Sequence, residues 1–136
     1  MSEEEINDQK LDRFISNMKL EEKVGQMFFV RCPDEDAVQQ ASEYNIGGYI
    51  LFGRDFDGKT KDEVINCIQS YQNEADIPLL IGVDEEGGTV VRVSSNPNLR
   101  ETPFLSPKDT YADGGWDAVK PVSYTHLRAH ETLRHL

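Results

Sequence analysis

The 136 residues, 38% hydrophobic and 29% charged, have the composition of one folded domain. No apolar run approaches the roughly 20 residues that span a bilayer, and the polar start Met1–Glu5 lacks the basic and apolar regions of a secretory signal, so a cytoplasmic protein is expected. A formal charge of −11 argues against nucleic acid and anionic membrane as partners, because both are bound through clustered Lys and Arg.

Taken in chain order, Leu11, Phe14, Ile15 and Met18 recur at the spacing of an amphipathic helix, and Leu20, Val24 and Met27 extend its apolar face. Met27-Phe28-Phe29-Val30 is a short continuous apolar run, which suits a parallel strand buried on both faces. Val38, Ala41 and Tyr44 form a short helical stripe. Asn45-Ile46-Gly47-Gly48 breaks it before a second strand at Tyr49-Ile50-Leu51-Phe52. After the loop 53–58, Thr60 and Glu63 make a capping box that opens a helix, with Val64, Ile65, Ile68 and Tyr71 on its inner face. Ile77-Pro78 ends that helix, and Leu79-Leu80-Ile81-Gly82-Val83 is the third strand. The stretch from Val93 to Asp117, rich in Ser, Asn, Pro, Asp and Gly, is expected to be an extended loop. Cys32 and Cys67 form no C-x-x-C pair and are expected to be reduced thiols in or near the core.

Strands alternating with helices predict an α/β fold with a parallel sheet. Three such units are less than half of a (β/α)8 TIM barrel, which needs about 250 residues. In parallel α/β folds ligands bind at the carboxyl ends of the strands, which draws attention to Asp84-Glu85-Glu86-Gly87-Gly88 and Arg92 after the third strand. A Gly-Gly pair lets the chain turn sharply and fix the preceding carboxylates. Asp84 could accept hydrogen bonds from sugar hydroxyls and Arg92 could donate them. The three acids are not an acid and nucleophile pair, since neighbours in an extended segment point to opposite faces. A solvated acidic turn is the simpler reading of the same residues. Arg54, in the loop after the second strand, either faces the cleft or is solvated.

Three segments carry a resemblance: Leu20-Glu21-Glu22-Lys23-Val24-Gly25-Gln26-Met27; Gly47-Gly48-Tyr49-Ile50-Leu51-Phe52-Gly53-Arg54; and Ile77 to Gly88 with Val91-Arg92. In order and spacing they resemble the N-terminal signature series of family 3 glycoside hydrolases of the β-N-acetylhexosaminidase branch, over about residues 10–108. The resemblance implies the N-terminal portion, about three βα units, of a TIM barrel, and a parent enzyme that removes terminal N-acetylglucosamine from peptidoglycan-derived or chitin-like saccharides. It also implies that Asp84 and Arg92 bind the non-reducing sugar and that no cofactor or metal is needed. The family's nucleophilic aspartate and its His and Asp acid/base loop match no residue here, so no catalytic residue is assigned and this chain alone is expected to be inactive. Another family 3 activity, on β-glucosides or β-xylosides, and a non-catalytic saccharide-binding module stay open.

Residues 1–118 carry 11 basic and 24 acidic side chains, while residues 119–136 carry 3 and 1 and all three histidines. Val122 to Thr132 resembles the translation of a transposase adapter used in sequencing libraries, so 119–136 is expected to be a non-native or disordered tail. His126 and His130 stand at i, i+4 but lack a third ligand and the H-E-x-x-H arrangement of a zinc helix, which argues against metal.

Overall fold

The structure of the chain, a computed structural model, describes residues 3–132, with side chains over 5–121. Its elements run α1 (Glu3–Asn17), α2 (Leu20–Gln26), β1 (Phe29–Arg31), α3 (Ala37–Glu43), β2 (Gly48–Leu51), α4 (Gly53–Phe56), α5 (Lys61–Glu74), β3 (Leu80–Val83) and α6 (Pro107–Thr132). The three strands are parallel in the order β1-β2-β3, with Val30 level with Tyr49 and Tyr49 level with Ile81. The expected α/β alternation is present, with α3 crossing from β1 to β2 and α5 from β2 to β3.

Side-chain alternation gives the sheet two unlike faces. Val30, Tyr49, Leu51 and Ile81 share one face and join Cys32, Ala41, Phe56 and Tyr71 in a single core beneath α3 and α5, which pack together. Tyr49 is fully buried. Its hydroxyl donates to the Ala37 carbonyl at 2.7 Å, and its ring meets Tyr71 edge-on at 5.4 Å. Burial pushes the Tyr49 phenol up to about 12. Burial also raises Tyr71, whose hydroxyl lies 3.0 Å from Cys67 Sγ and 3.6 Å from Cys32 Sγ, and raises the Cys32 thiol. Both thiols are free, one inside the core and one at its margin.

The other face carries Phe29, Gly48, Leu80, Ile50 and Gly82. The Phe29 ring lies across the two glycines: a Cβ on Gly82 would stand 2.5 Å from its Cζ, and one on Gly48 2.6 Å from its Cδ2. Phe29 and Leu80 remain half-exposed or more, because among the described residues the core-forming helices cover the opposite face. The expectation of strands buried on both faces therefore holds for β2, the central strand, and not for β1 and β3, which are its edges.

Local chemistry accounts for most boundaries. Thr60 and Glu63 form the expected box: Glu63 N–H donates to Thr60 Oγ1 at 3.3 Å, and Thr60 N–H to Glu63 Oε2 at 2.7 Å. The Thr60 amide and hydroxyl hold the Glu63 carboxyl below the usual range. At the far end of α5 the Gln72 amide pairs with both backbone groups of Leu79, at 2.8 Å each, and so aims the chain into β3.

Four expectations are corrected. The first helical segment is two helices, α2 starting where Glu22 Oε2 accepts the Lys19 N–H at 2.6 Å. Met27 N–H still bonds the Val24 carbonyl at 3.1 Å, so Met27 closes α2, 83% exposed, and β1 starts two residues later than the apolar run suggests. Gly53–Phe56 is a helical turn, opened by Asp55 Oδ2 accepting the Phe52 N–H at 2.7 Å. The long loop ends at Ser106, whose hydroxyl accepts the Asp109 N–H at 3.1 Å while Pro107 occupies the first helical position of α6. α6 is broken at Gly114 and Gly115, and its backbone continues to Thr132. The boundary expected at 118–119 falls within its second segment; the side chains of His126 and His130 lie outside the described residues.

Candidate functional site

β1 ends at Arg31, β2 is followed by Phe52, and β3 is followed by Asp84. Arg31 is level with Ile50, and Ile50 with Gly82, so the alternation carries Phe52 and Asp84 onto the face of Phe29 and the two glycines. The loop 84–106 returns to the strand ends, bringing Arg92 to the Phe52 ring while Val93 and Leu99 pack on the core.

The loop is organised by Glu85. Its Oε2 accepts the N–H groups of Arg92 at 2.9 Å and Val93 at 2.7 Å, and its Oε1 accepts the Ser94 N–H at 3.3 Å and the Ser94 hydroxyl. Burial pushes the Glu85 carboxyl up, but the Ser94 hydroxyl and the three amides outweigh it, and the group is held below the usual carboxylate range. Ser94, itself buried, also accepts the Phe104 N–H at 3.1 Å. Buried Asn96 ties the loop to the α4–α5 connection, donating to the carbonyls of Phe56 at 2.5 Å and Lys59 at 2.7 Å.

The turn that lets residues 92–94 fold back on Glu85 is made by Gly87 (φ 85°) and Gly88 (φ 66°), with Gly87 N–H bonding the Val90 carbonyl at 3.0 Å. A Cβ on Gly87 would collide with the Leu105 carbonyl. The glycine pair thus does what the sequence suggests, but the carboxylate it fixes is Glu85, while Asp84 and Glu86 stay exposed. The reading of all three acids as a solvated turn is corrected for Glu85. The signal that separates it from its neighbours is the Ser94 side chain nine residues on.

Arg92 is half-buried. Its guanidinium carbon stands 5.7 Å from the Phe52 ring centre, and its Nε is buried without a hydrogen-bond partner among the described residues. Arg31 stacks on the same ring at 4.5 Å. Nothing in the local pattern around Arg31 or Phe52 marks them, because the ring is shared across two strands and a loop. Arg54 is neither freely solvated nor unpaired: it pairs with Asp34 and donates to the Cys32 carbonyl, tying the loops after β1 and β2.

A hollow of about 650 Å³ lies elsewhere, along the edge of β1, with Val24, Phe28, Tyr44 and Ile46 in its wall. It is mainly apolar and sits beside the helices, whereas the polar groups that could orient a sugar converge at the strand ends. The strand ends are the better candidate.

Residues 19–107 match the glycosyl hydrolase family 3 N terminal domain, and this segment contains every strand and the whole Glu85 loop. The chain belongs to glycosyl hydrolase family 3. Within the curated proteins it is similar to beta-hexosaminidase A of Pseudoalteromonas piscicida, 34% identical over 77 residues. Those residues are 54% of this chain and 13% of that relative, so the chain spans a small part of the relative's length. No solved structure matches the chain significantly.

Proposed function

We propose that this chain is the sugar-gripping N-terminal part of a retaining β-N-acetylhexosaminidase that releases terminal N-acetylglucosamine from peptidoglycan-derived or chitin-like saccharides. On this reading the three βα units are the first of a (β/α)8 barrel, and Asp84 and Arg92 bind the non-reducing sugar. The observation that carries it is the presence of an exposed acceptor, Asp84, and a donor, Arg92, whose buried Nε has no partner among the described residues, at the carboxyl end of a parallel sheet in a family 3 domain. The similarity to a beta-hexosaminidase favours an N-acetylhexosaminide over a simple β-glucoside.

In a double displacement a carboxylate forms a covalent glycosyl-enzyme, and a second group protonates the leaving oxygen and then activates water. Asp84 and Arg92 contribute orientation to such a step, holding the ring by its hydroxyls and excluding water from that side. Glu85 is committed to four hydrogen bonds of its own loop and is a poor nucleophile or acid. The chain alone is accordingly expected to bind without turning over. Calorimetric titration with chitobiose tests this: Asp84→Asn should weaken binding about tenfold or more, with no release of nitrophenol from a nitrophenyl N-acetylglucosaminide. Binding unaffected by that substitution, or turnover by this chain, would refute the reading.

A further inference from the structure

We infer that Tyr111 and Trp116 form a stacking platform for a sugar ring of an extended saccharide chain, separate from the strand ends; the choice of ligand rests on the saccharide reading above. The two rings meet edge-on with centres 5.2 Å apart, and Tyr111 is 48% and Trp116 68% exposed. Both lie past residue 107, where the match to the family ends. The contact is made by a break in α6 and not by its period. In an unbroken α-helix residues five apart stand about 140° apart around the axis and do not meet. Gly114 (φ −146°, ψ 18°) leaves the helical region, and Gly115 (φ 61°, ψ −153°) takes a conformation that in practice only glycine holds. That break lets Trp116 turn back onto Tyr111, which braces the indole while much of its surface stays open to solvent.

The neighbouring residues select the kind of ligand. A surface that docks another protein extends its aromatic anchors with further apolar side chains. Here the exposed residues beside the two rings along the chain are Ala112, Asp113 and Asp117, and the Asp117 carboxylate pairs with Lys120 Nζ at 3.2 Å. A pyranose ring has an apolar C–H face and a rim of hydroxyls, which suits an indole flanked by carboxylate acceptors and an ammonium donor. The same carboxylates repel an anionic partner, and the chain as a whole carries −11. One sugar ring stacked on an exposed indole is held weakly. The platform therefore fills with a chain long enough to add hydroxyl contacts on either side, and a disaccharide is too short for it.

Trp116 is the single tryptophan of the chain, so its fluorescence reports the platform directly. Titrating chitotetraose into the full chain should give a saturable blue shift of the emission, and the shift should persist in Asp84→Asn. Tyr111→Ala, a change at an exposed side chain outside the core, should raise the midpoint about fivefold. Chitobiose should leave the emission unchanged. An emission indifferent to chitotetraose, an equal response to chitobiose, a shift lost in Asp84→Asn, or a midpoint unmoved by Tyr111→Ala overturns the inference. Emission that follows protein concentration instead of sugar marks a contact between copies and overturns it too. The saccharide reading is tested separately by the calorimetry of chitobiose, so the failure of one is distinguishable from the failure of the other.

Discussion

Replacing Glu85 with glutamine should loosen the loop that carries Arg92 while leaving the sheet in place. From its own loop the carboxylate accepts four hydrogen bonds, from the amides of Arg92, Val93 and Ser94 and from the Ser94 hydroxyl. Glutamine offers one acceptor oxygen, which can keep about two of the four; its amide group faces the remaining donors. Charge-assisted bonds contribute about 1.5–3 kcal/mol each. Discounting for the partial exposure of the site, the loop loses about 2 kcal/mol. At about 1.4 kcal/mol per factor of ten, hydrogen-exchange protection of the Arg92, Val93 and Ser94 amides should fall about 30-fold. The pH dependence has a fixed sign. Because the folded carboxyl is held low, its stabilisation is complete above the unfolded value of about 4.3 and fades as pH falls through the folded value. Wild-type protection of these amides should therefore drop in acid, and the Glu85→Gln variant should lack that drop. Unchanged protection in Glu85→Gln, or an acid dependence that persists in it, would refute the assignment of Glu85 as the loop's anchor.

Gly87→Ala should destabilise the chain by at least about 2 kcal/mol in urea denaturation, since it forces a left-handed residue and a collision with the Leu105 carbonyl; an unmoved midpoint would contradict the turn geometry. Tyr49 should titrate near 12 by tyrosinate absorbance, and that signal should vanish in Tyr49→Phe. Since its folded value is raised, the stabilisation is complete below about pH 10 and is lost as pH rises through about 12, so the wild type should melt progressively lower over that window. A Tyr49 that titrates near 10 would mean that the core between β2 and α5 is open to water.

Much of the fold was legible because the decisive signals are local. The Thr60–Glu63 box and the proline after Ile77 bound α5 from within a few residues. The alternation of apolar runs with helical stripes was enough for a parallel sheet. What was illegible depends on contacts distant in sequence. The apolar run Met27–Val30 is divided between a helix end and a strand because Met27 bonds back to Val24, while Gly47 N–H bonds the Phe28 carbonyl at 2.9 Å. The start of α6 carried a local signal, Ser106-Pro107 with Asp109, which was masked by a surrounding composition typical of loops. Asp84, Glu85 and Glu86 are alike as sequence, and only the return of residues 92–94 selects the middle one. Arg31 and Phe52 meet Arg92 through a ring shared across strands, which no spacing along the chain encodes.

The central claim is that a saccharide is held at the carboxyl ends of the strands, and the most direct test is to map binding residue by residue. Chitobiose titrated into the isotopically labelled chain should shift the backbone amide resonances of Gly82, Asp84 and Arg92, and those shifts should be lost in Asp84→Asn. Shifts gathered instead at Val24, Phe28 and Tyr44, around the hollow beside β1, or shifts indifferent to Asp84→Asn, would contradict the account.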